Sequence, residues 1–193
     1  NLDEKYLEEI LMPLANAKNL KDKKIIWDCG NGATGDIINK MVKLIPCENT
    51  VLYSEIDGNF PNHHPDPSDE SNLIKLKQEV KTQNADFGFA FDGDGDRVGV
   101  VNNKLELIAG DILTTFLAQS ISEKKYPIIL DVKSSQKCKQ FLENLDYEVL
   151  IWKTGHSHIK TKMKKINSKF AGEMSGHIFF GDTYYGYDDA IYS

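Results

Sequence analysis

Three aspartates, Asp92, Asp94 and Asp96, alternate with two glycines and are followed at once by Arg97. Negative charges this close repel one another unless a cation or a set of hydrogen-bond donors compensates them. Glycine lets the backbone turn tightly enough for the carboxylates to converge. Ligands that are all oxygen suit a hard divalent cation such as Mg²⁺. We therefore predict a magnesium site formed by Asp92, Asp94 and Asp96.

Two other cation motifs resemble this stretch. An EF-hand loop carries Gly at its sixth position and Glu at its twelfth, where this chain has Arg97 and Asn103. The segments on either side are apolar and strand-like, whereas an EF-hand loop joins two helices. The D-x-D motif of a glycosyltransferase, which holds manganese against a nucleotide diphosphate, remains an open alternative at this point.

A second candidate group consists of Glu173, Ser175 and His177. On an extended backbone, side chains two residues apart point to the same side, so we expect these three to share one face. A carboxylate, a hydroxyl and an imidazole together suit the neighbouring hydroxyls of a sugar, and His177 is placed for proton transfer.

Lys133 and His156 each follow a predicted strand. Ligands of open α/β sheets bind beyond the carboxyl ends of the strands, so we expect both side chains near Glu173. The ammonium group of Lys133 is a point charge suited to a phosphate.

Residues 30–35 match the pattern G-x-G-x-x-G between a predicted strand and a predicted helix, and Glu55 follows the next strand. This pattern occurs in dinucleotide-binding sites. A six-residue glycine pattern is also typical of a tight strand-to-helix turn, which is the interpretation we favour. An oxidoreductase that binds a nicotinamide dinucleotide at residues 30–35 stays open as an alternative.

His63 and His64 lie in a polar stretch, residues 56–70, that three prolines interrupt. Adjacent side chains point apart, and the pair lacks the spacing of helical metal ligands. We therefore predict an irregular, structured loop rather than a metal site.

Alternating apolar and amphipathic segments predict the elements that position these residues. Residues 3–18 read as a helix that Pro13 should kink or end. In the helix at 109–122 we expect Leu113, Phe116 and Leu117 to point inward. The remaining predicted strands are 24–28, 50–54, 85–92, 97–102, 127–131, 148–152, 170–171 and 178–180, and the remaining predicted helices are 36–44, 72–82, 134–145 and 160–167.

The same order of elements occurs twice: a strand ending in Asp, a helix, a strand, a helix, a strand, an acidic glycine-containing loop and a returning strand. Strands that alternate with helices favour parallel pairing with right-handed crossovers. We predict an α/β fold of two tandem units with mixed, largely parallel sheets and a boundary near residues 103–107.

Composition limits the function classes. The 193 residues carry a formal net charge of −6, which argues against general nucleic-acid binding. No apolar run approaches the roughly 20 residues that span a membrane, and the polar, acidic first residues show no signal peptide. The three cysteines give neither a disulfide framework nor a zinc spacing. We expect a cytoplasmic protein.

The sequence Asp-Gly-Asp-Gly-Asp-Arg at residues 92–97, followed by Gly-Glu-Met-Ser-Gly-His at residues 172–177, resembles the α-D-phosphohexomutases, specifically the bacterial phosphomannomutase/phosphoglucomutase group. Residues 58–67, 131–133, 152–157 and 187–193 are similar to that family as well, in the family's order.

The resemblance implies an enzyme that interconverts hexose 1-phosphate and hexose 6-phosphate, of mannose or glucose, through a phosphoserine and a bisphosphorylated sugar. It implies Mg²⁺ held by Asp92, Asp94 and Asp96, with Arg97 close to the transferring phosphoryl group. It also implies Glu173 and Ser175 on the sugar hydroxyls and His177 as the acid or base. Lys133 and His156 would be further active-site contacts.

The family's Ser-His-Asn-Pro phosphoserine loop and the phosphate-binding loop of its fourth domain have no counterpart in these residues. The resemblance thus implies a fragment: residues 1–20 as a linker helix from the end of domain one, residues 21–104 as domain two and residues 105–193 as a truncated domain three. Domains one and four would be its missing partners, and we expect the isolated chain to be inactive. A non-catalytic binding module is the remaining alternative.

Overall fold

The computed structural model describes residues 1–16, 20–121 and 123–193. The chain forms two compact units, one of residues 1–107 with Tyr192 and one of residues 108–191 with Ser193. Among the described residues, no helix is both long and apolar enough to cross a membrane.

The first unit is built around a five-stranded sheet of order β2-β1-β3-β4-β5. Its elements are α1 (Leu2–Leu11), a 3-10 helix (Met12–Asn16), β1 (Lys24–Asp28), α2 (Gly35–Met41), β2 (Glu48–Leu52), a 3-10 helix (Glu70–Leu73), α3 (Ile74–Gln83), β3 (Phe87–Phe91), β4 (Val98–Asn102) and β5 (Leu107–Ile108). Strand β1 pairs in parallel with β2 and β3, whereas β3 and β4 form an antiparallel hairpin.

The second unit is built around a four-stranded sheet of order β7-β6-β8-β9. Its elements are α4 (Gly110–Ala118), β6 (Ile128–Asp131), α5 (Gln136–Asn144), β7 (Val149–Trp152), α6 (His156–Ile166), β8 (Phe170–Gly172) and β9 (Ile178–Phe180). Strand β6 pairs in parallel with β7 and β8, and β8 and β9 form an antiparallel hairpin.

The two sheets share one topology, since each central strand lies between two parallel neighbours and each third strand continues into a hairpin. This confirms the predicted α/β fold and its internal repeat. The central strands β1 and β6 end in Asp28 and Asp131, and neither side chain is exposed to solvent. The candidate residues therefore follow the carboxyl ends of the strands, where open α/β sheets bind ligands.

Apolar side chains of α3 and α6 form part of the core on the two sheets. In the first unit Leu76 and Val80 of α3 pack on the sheet beside Ile26 and Val101. A Cβ atom at Gly88 would lie 2.7 Å from Leu76 Cδ1. Helix α3 therefore packs so closely on β3 that any side chain in place of Gly88 would clash with it. In the second unit the core cluster is Ile129, Ile159, Met163, Ala171 and Phe179.

Helix α1 ends at Leu11, and the chain continues as a 3-10 helix that contains Pro13. The predicted effect of Pro13 is confirmed, because proline lacks the backbone N–H that an α-helix uses. The predicted helix was too long, and its residues 17 and 18 lie outside the described part of the chain.

The predicted inner face of α4 was partly wrong. Leu113 is buried, but Leu117 is only half-buried and Phe116 is 69% exposed. Thr114 and Thr115 are buried instead, and their hydroxyls donate to carbonyl oxygens one turn earlier in the same helix. Because those hydrogen bonds satisfy the hydroxyls, burial of the threonines costs little. The predicted end of this helix, Ser122, lies outside the described residues.

Candidate active-site residues

Residues 92–97, here called the cation loop, join β3 to β4. The loop is closed by a hydrogen bond from the Asp92 backbone N–H to the Arg97 carbonyl oxygen, at 3.3 Å. Asp92 Oδ1 accepts three backbone N–H groups, from Gly95 and Asp96 at 3.0 Å and from Arg97 at 3.1 Å. Gly95 has a φ of +84°, a conformation that glycine adopts without strain. One buried carboxylate thus organises the whole loop.

Arg97 neutralises much of the charge of this loop. Its Nε donates to Asp92 Oδ2 at 2.8 Å, and its Nη1 donates to Asp66 Oδ1 at 3.1 Å. Burial raises the pKa of Asp92, but the hydrogen bonds from Arg97 and from Asp96 outweigh it, so the pKa lies below its ordinary value. Asp92 is therefore ionised at neutral pH although it is only 2% exposed.

The structure brings the three predicted metal ligands together. One oxygen from each of Asp92, Asp94 and Asp96 lies within 4.8 Å of the others. Opposite ligands of an octahedral Mg²⁺ are about 4 Å apart, since each Mg–O distance is about 2.0–2.1 Å. Opposite ligands would have to lie somewhat closer than this limit, so it is the oxygen-only donor set that favours a hard divalent cation. Asp94 is the exposed member of the three.

The glycine turn at residues 30–35 supports the cation loop. The Ala33 N–H donates to the Gly93 carbonyl oxygen at 2.9 Å, and a Cβ atom at Gly32 would lie only 2.8 Å from the same oxygen. The N–H groups of Gly30, Asn31 and Gly32 donate to Asp28, Tyr53 and Cys29, respectively. A dinucleotide phosphate would need these donors, so the contacts favour the structural turn.

Residues 173–177 form the loop between β8 and β9, here called the hairpin loop. The Gly176 N–H donates to the Glu173 carbonyl oxygen at 3.1 Å, and the Glu173 N–H donates to the His177 carbonyl oxygen at 2.9 Å. The expectation of an extended backbone was therefore wrong, because a turn occupies this segment. Glu173 and His177 lie opposite each other across the hairpin instead of alternating along a strand.

Glu173 is only 1% exposed, and its Oε1 accepts the Gly155 N–H at 2.5 Å. Gly155 has a φ of +123° and directly precedes α6. Glu173 thereby fixes the turn that leads to His156. No other polar contact of this carboxylate is found within the described part of the chain, which leaves Oε2 for a ligand hydroxyl.

His156 and His177 meet at Asp188, a residue to which the sequence motifs assigned no role. Asp188 Oδ2 lies 3.0 Å from His177 Nδ1 and 3.7 Å from His156 Nδ1. The two imidazole rings stack with their centroids 5.7 Å apart. Lys160 Nζ lies 2.8 Å from Asp188 Oδ1. The structure therefore joins these four side chains into one charged cluster.

Helix α6 begins at His156, four residues before its predicted start at Lys160. This error hid part of the cluster, because residues four apart share one face of a helix. His156 and Lys160 consequently both reach Asp188. The signal in the sequence was the spacing: Lys160 lies four residues after His156, which places both on one face of a helix that starts at His156.

Lys133 and Ser175 stand apart from these contacts. Lys133 is exposed two residues after Asp131, and Ser175 is half-buried in the hairpin loop. Asp131 anchors the neighbouring segments by accepting the hydroxyls of Ser134 and Thr154, at 2.8 and 3.0 Å. Among the described residues, neither Lys133 nor Ser175 has a side-chain hydrogen-bond partner, so their predicted roles in binding stay predictions.

Comparisons with known proteins cover nearly the whole chain. Residues 4–105 match the family model described as phosphoglucomutase/phosphomannomutase, alpha/beta/alpha domain II, and residues 109–193 match domain III of the same family. A Pseudomonas putida protein named phosphomannomutase/phosphoglucomutase is 46% identical over 192 residues, which are 98% of this chain and 41% of that protein.

A more distant sequence relative and a solved structure point to the same family. A phosphomannomutase of Methanocaldococcus jannaschii is 36% identical over 171 residues, 85% of this chain and 37% of that protein. A crystal structure of a phosphoglucomutase/phosphomannomutase family protein from Burkholderia thailandensis superimposes with a TM-score of 0.90 at 38% identity, over 100% of this chain and 42% of that one. The chain spans about two fifths of the length of these relatives. It belongs to the phosphoglucomutase/phosphomannomutase family and corresponds to the family's second and third α/β/α domains.

Proposed function

We propose that this chain supplies the cation-binding and sugar-binding parts of a hexose-phosphate mutase that interconverts the 1-phosphate and 6-phosphate of mannose or glucose. The observation that carries the proposal is the preorganised cation loop, in which Asp92 and Arg97 fix the backbone that presents Asp94 and Asp96. The names of relatives that are 44–46% identical support the same reaction class.

Asp92, Asp94 and Asp96 are the residues that would hold Mg²⁺. When bound, such an ion offsets the negative charge of a transferring phosphoryl group. The oxygen-only donor set favours magnesium or manganese over softer metals.

Arg97 would bind the same phosphoryl group. A guanidinium group has five N–H donors, and the bonds to Asp92 and Asp66 use two of them. The remaining donors of this side chain, which is 26% exposed, would donate to phosphoryl oxygens. Because such a group is fixed before the reaction, it stabilises developing charge at little reorganisation cost.

Glu173 and Ser175 would bind sugar hydroxyls, and His177 would exchange the proton of the hydroxyl that gains or loses the phosphoryl group. Asp188 lies 3.0 Å from His177 Nδ1, which favours a hydrogen on that nitrogen, and Nε2 would then be the atom that exchanges a proton with a ligand. Lys133 and His156 would bind the phosphate that is not being transferred. Carbohydrate recognition and phosphoryl chemistry would then be assigned to different units of the chain.

A phosphoserine outside these residues would donate the phosphoryl group, and the bisphosphorylated sugar would return the other one to it. In the relatives, about three fifths of the length lies outside the segment that matches this chain. On this proposal, the corresponding part of the full protein would provide the serine and a further phosphate-binding domain. On this proposal the isolated chain does not turn over glucose 1-phosphate.

A chimera tests the proposal. In the Pseudomonas putida relative, the matching segment is replaced by this chain, and conversion of glucose 1-phosphate to glucose 6-phosphate is measured. We expect turnover by the chimera and none by the isolated chain. Arg97→Ala in the chimera should lower kcat by roughly 1,000-fold, the order seen for loss of a phosphoryl-stabilising arginine. A folded chimera without activity, or an active isolated chain, would contradict the proposal.

A further inference from the structure

Asp28, the last residue of β1, is a fully buried carboxylate. A buried carboxylate needs a charged partner or a full set of hydrogen bonds, since burial without them strongly disfavours the ionised form. Asp28 Oδ1 accepts the Gly30 N–H at 3.0 Å. His63 Nε2 lies 3.1 Å from both carboxylate oxygens. His63 is thus the side chain that pairs with the buried carboxylate of Asp28.

Both ring nitrogens of His63 face acceptors. Nε2 faces the Asp28 carboxylate, and Nδ1 lies 2.9 Å from the carbonyl oxygen of His64. Because an acceptor faces each nitrogen, these contacts favour the ring that carries a hydrogen on both, the imidazolium. The hydrogen bond to Asp28 raises the pKa of His63 against the opposing effect of burial. The Tyr53 ring packs edge-on against the His63 ring, with the two ring centroids 5.5 Å apart.

His63 belongs to residues 60–67, here called the covering segment, which lies directly on the cation loop. A Cβ atom at Gly93 would lie 3.3 Å from Phe60 Cζ and 3.5 Å from Pro65 Cγ. A Cβ atom at Gly30 would lie 3.2 Å from Pro65 Cβ. These distances show that the covering segment packs closely on both the glycine turn and the cation loop.

The covering segment also holds Arg97. Asp66 follows His63 by three residues, and its Oδ1 accepts Arg97 Nη1 at 3.1 Å. The opposite side of the same guanidinium is held by Asp92. Arg97 is therefore clamped between a carboxylate of its own loop and a carboxylate of the covering segment.

We infer that the Asp28–His63 ion pair is a positioning element for the cation loop: it fastens the covering segment to the end of β1 and thereby holds Asp66 on Arg97. Asp28 and His63 contact Gly30, Tyr53 and His64, so we assign the effect of the pair on the loop to the covering segment. The inference concerns the conformation of the cation loop. It rests on the proposed function only in assuming that the loop binds a cation.

The test compares His63→Gln with His64→Gln in this chain. His64 is the adjacent, exposed histidine, and its backbone carbonyl, which His63 uses, survives the substitution. Amide hydrogen exchange is followed by NMR at Gly95, Asp96 and Arg97, the three donors to Asp92. Because exchange reports local opening, we expect it to speed up at least tenfold in His63→Gln. The wild-type rate should persist in His64→Gln and, in both variants, at Ile159 and Met163 of the second unit. Equal loop exchange in the two variants would overturn the inference.

Manganese binding gives a readout that overall stability alone would not move. We expect the folded His63→Gln variant to bind Mn²⁺, observed by electron paramagnetic resonance, at least fivefold more weakly than His64→Gln does. Adding Asp28→Asn removes the buried charge that His63→Gln leaves unpaired, so the double variant should regain part of this affinity. Unchanged affinity in His63→Gln, or no recovery in the double variant, counts against the inference.

The wild-type chain offers a measurement that needs no variant. At pH 7 both ring nitrogens of His63 should give the ¹⁵N shifts of a protonated imidazole. A neutral His63 ring would overturn the inference even if His63→Gln failed to fold. Neither this measurement nor the exchange experiment requires metal or substrate. An inactive chimera with slow loop exchange would therefore count against the proposed function and leave the positioning role intact.

Discussion

His177 Nδ1 lies 3.0 Å from Asp188 Oδ2, and Lys160 contacts the other oxygen of the same carboxylate at 2.8 Å. The side chain of Asp188 is only 5% exposed, so its charge acts on His177 with little screening by solvent. A carboxylate in this position fixes the tautomer and orientation of an imidazole and stabilises its protonated form.

Asp188→Asn should therefore weaken proton transfer by His177. In the chimera we expect kcat to fall roughly 100-fold, the lower range for loss of a general acid or base, with KM changed much less. NMR titration of the isolated chain should show a lower pKa for His177 in the variant. Asp182→Asn, which replaces an exposed aspartate of the same unit, serves as the control. Equal kcat values in the two variants would argue against this role.

The same carboxylate predicts how the second unit responds to acid. Burial raises the pKa of Asp188, but contacts with His177 and Lys160 outweigh it and lower the pKa from 3.8 to about 2. A carboxyl group with a lowered pKa stabilises the folded state above its unfolded pKa, and this stabilisation is lost as the pH falls through the folded pKa.

Between pH 3.8 and about 2, the wild-type second unit should lose about 2 kcal/mol of unfolding free energy that Asp188→Asn does not lose. Urea titrations at stepped pH, followed by NMR signals of α6, measure this difference. Parallel pH profiles for the two proteins would show that Asp188 has an ordinary pKa.

The cation loop could be predicted from the sequence because its partners are local. Asp92 accepts N–H groups only three to five residues away, so the spacing of Asp, Gly and Arg already contains the geometry. The repeat of strands and helices was predictable for a similar reason, since apolar periodicity reports which faces are buried.

Asp188 could not be predicted in this way. Its partners Lys160 and His177 lie 28 and 11 residues earlier in the chain, and no local pattern relates the three. The start of α6 was missed because it depends on Gly155, whose N–H is fixed by Glu173 from another strand end. Phe116 was assigned to the core because hydrophobicity alone does not show that the hydroxyls of Thr114 and Thr115 are satisfied within their own helix.

Magnesium binding by the isolated chain should be weak. Three carboxylates supply only part of an octahedral shell, and Mg²⁺ gives up its water ligands reluctantly. We expect a dissociation constant in the millimolar range by titration calorimetry and a further loss of affinity in Asp94→Asn. Asp22→Asn, an exposed aspartate elsewhere in the first unit, should bind like the wild type. Micromolar affinity in the wild-type chain would show that these carboxylates suffice without a further ligand.

The contact between the glycine turn and the cation loop gives a prediction about stability. A Cβ atom at Gly32 would lie 2.8 Å from the Gly93 carbonyl oxygen and 2.9 Å from that of Asp92. Both atoms are backbone, so neither can rotate away, and relief of the clash must shift the loop itself. Gly32→Ala should therefore destabilise the first unit by roughly 1–3 kcal/mol, the usual cost of overpacking, and weaken Mn²⁺ binding at the same time.

Gly58→Ala is the matched control, because a Cβ atom at Gly58 would meet nothing within 4 Å. It should leave stability unchanged or raise it slightly, since alanine restricts the unfolded chain more than glycine does. Urea unfolding followed by NMR signals of β1 measures the first unit in both variants, apart from the second unit that contains Trp152. If Gly32→Ala were as stable as Gly58→Ala and bound Mn²⁺ equally well, the glycine turn would not be what supports the cation loop.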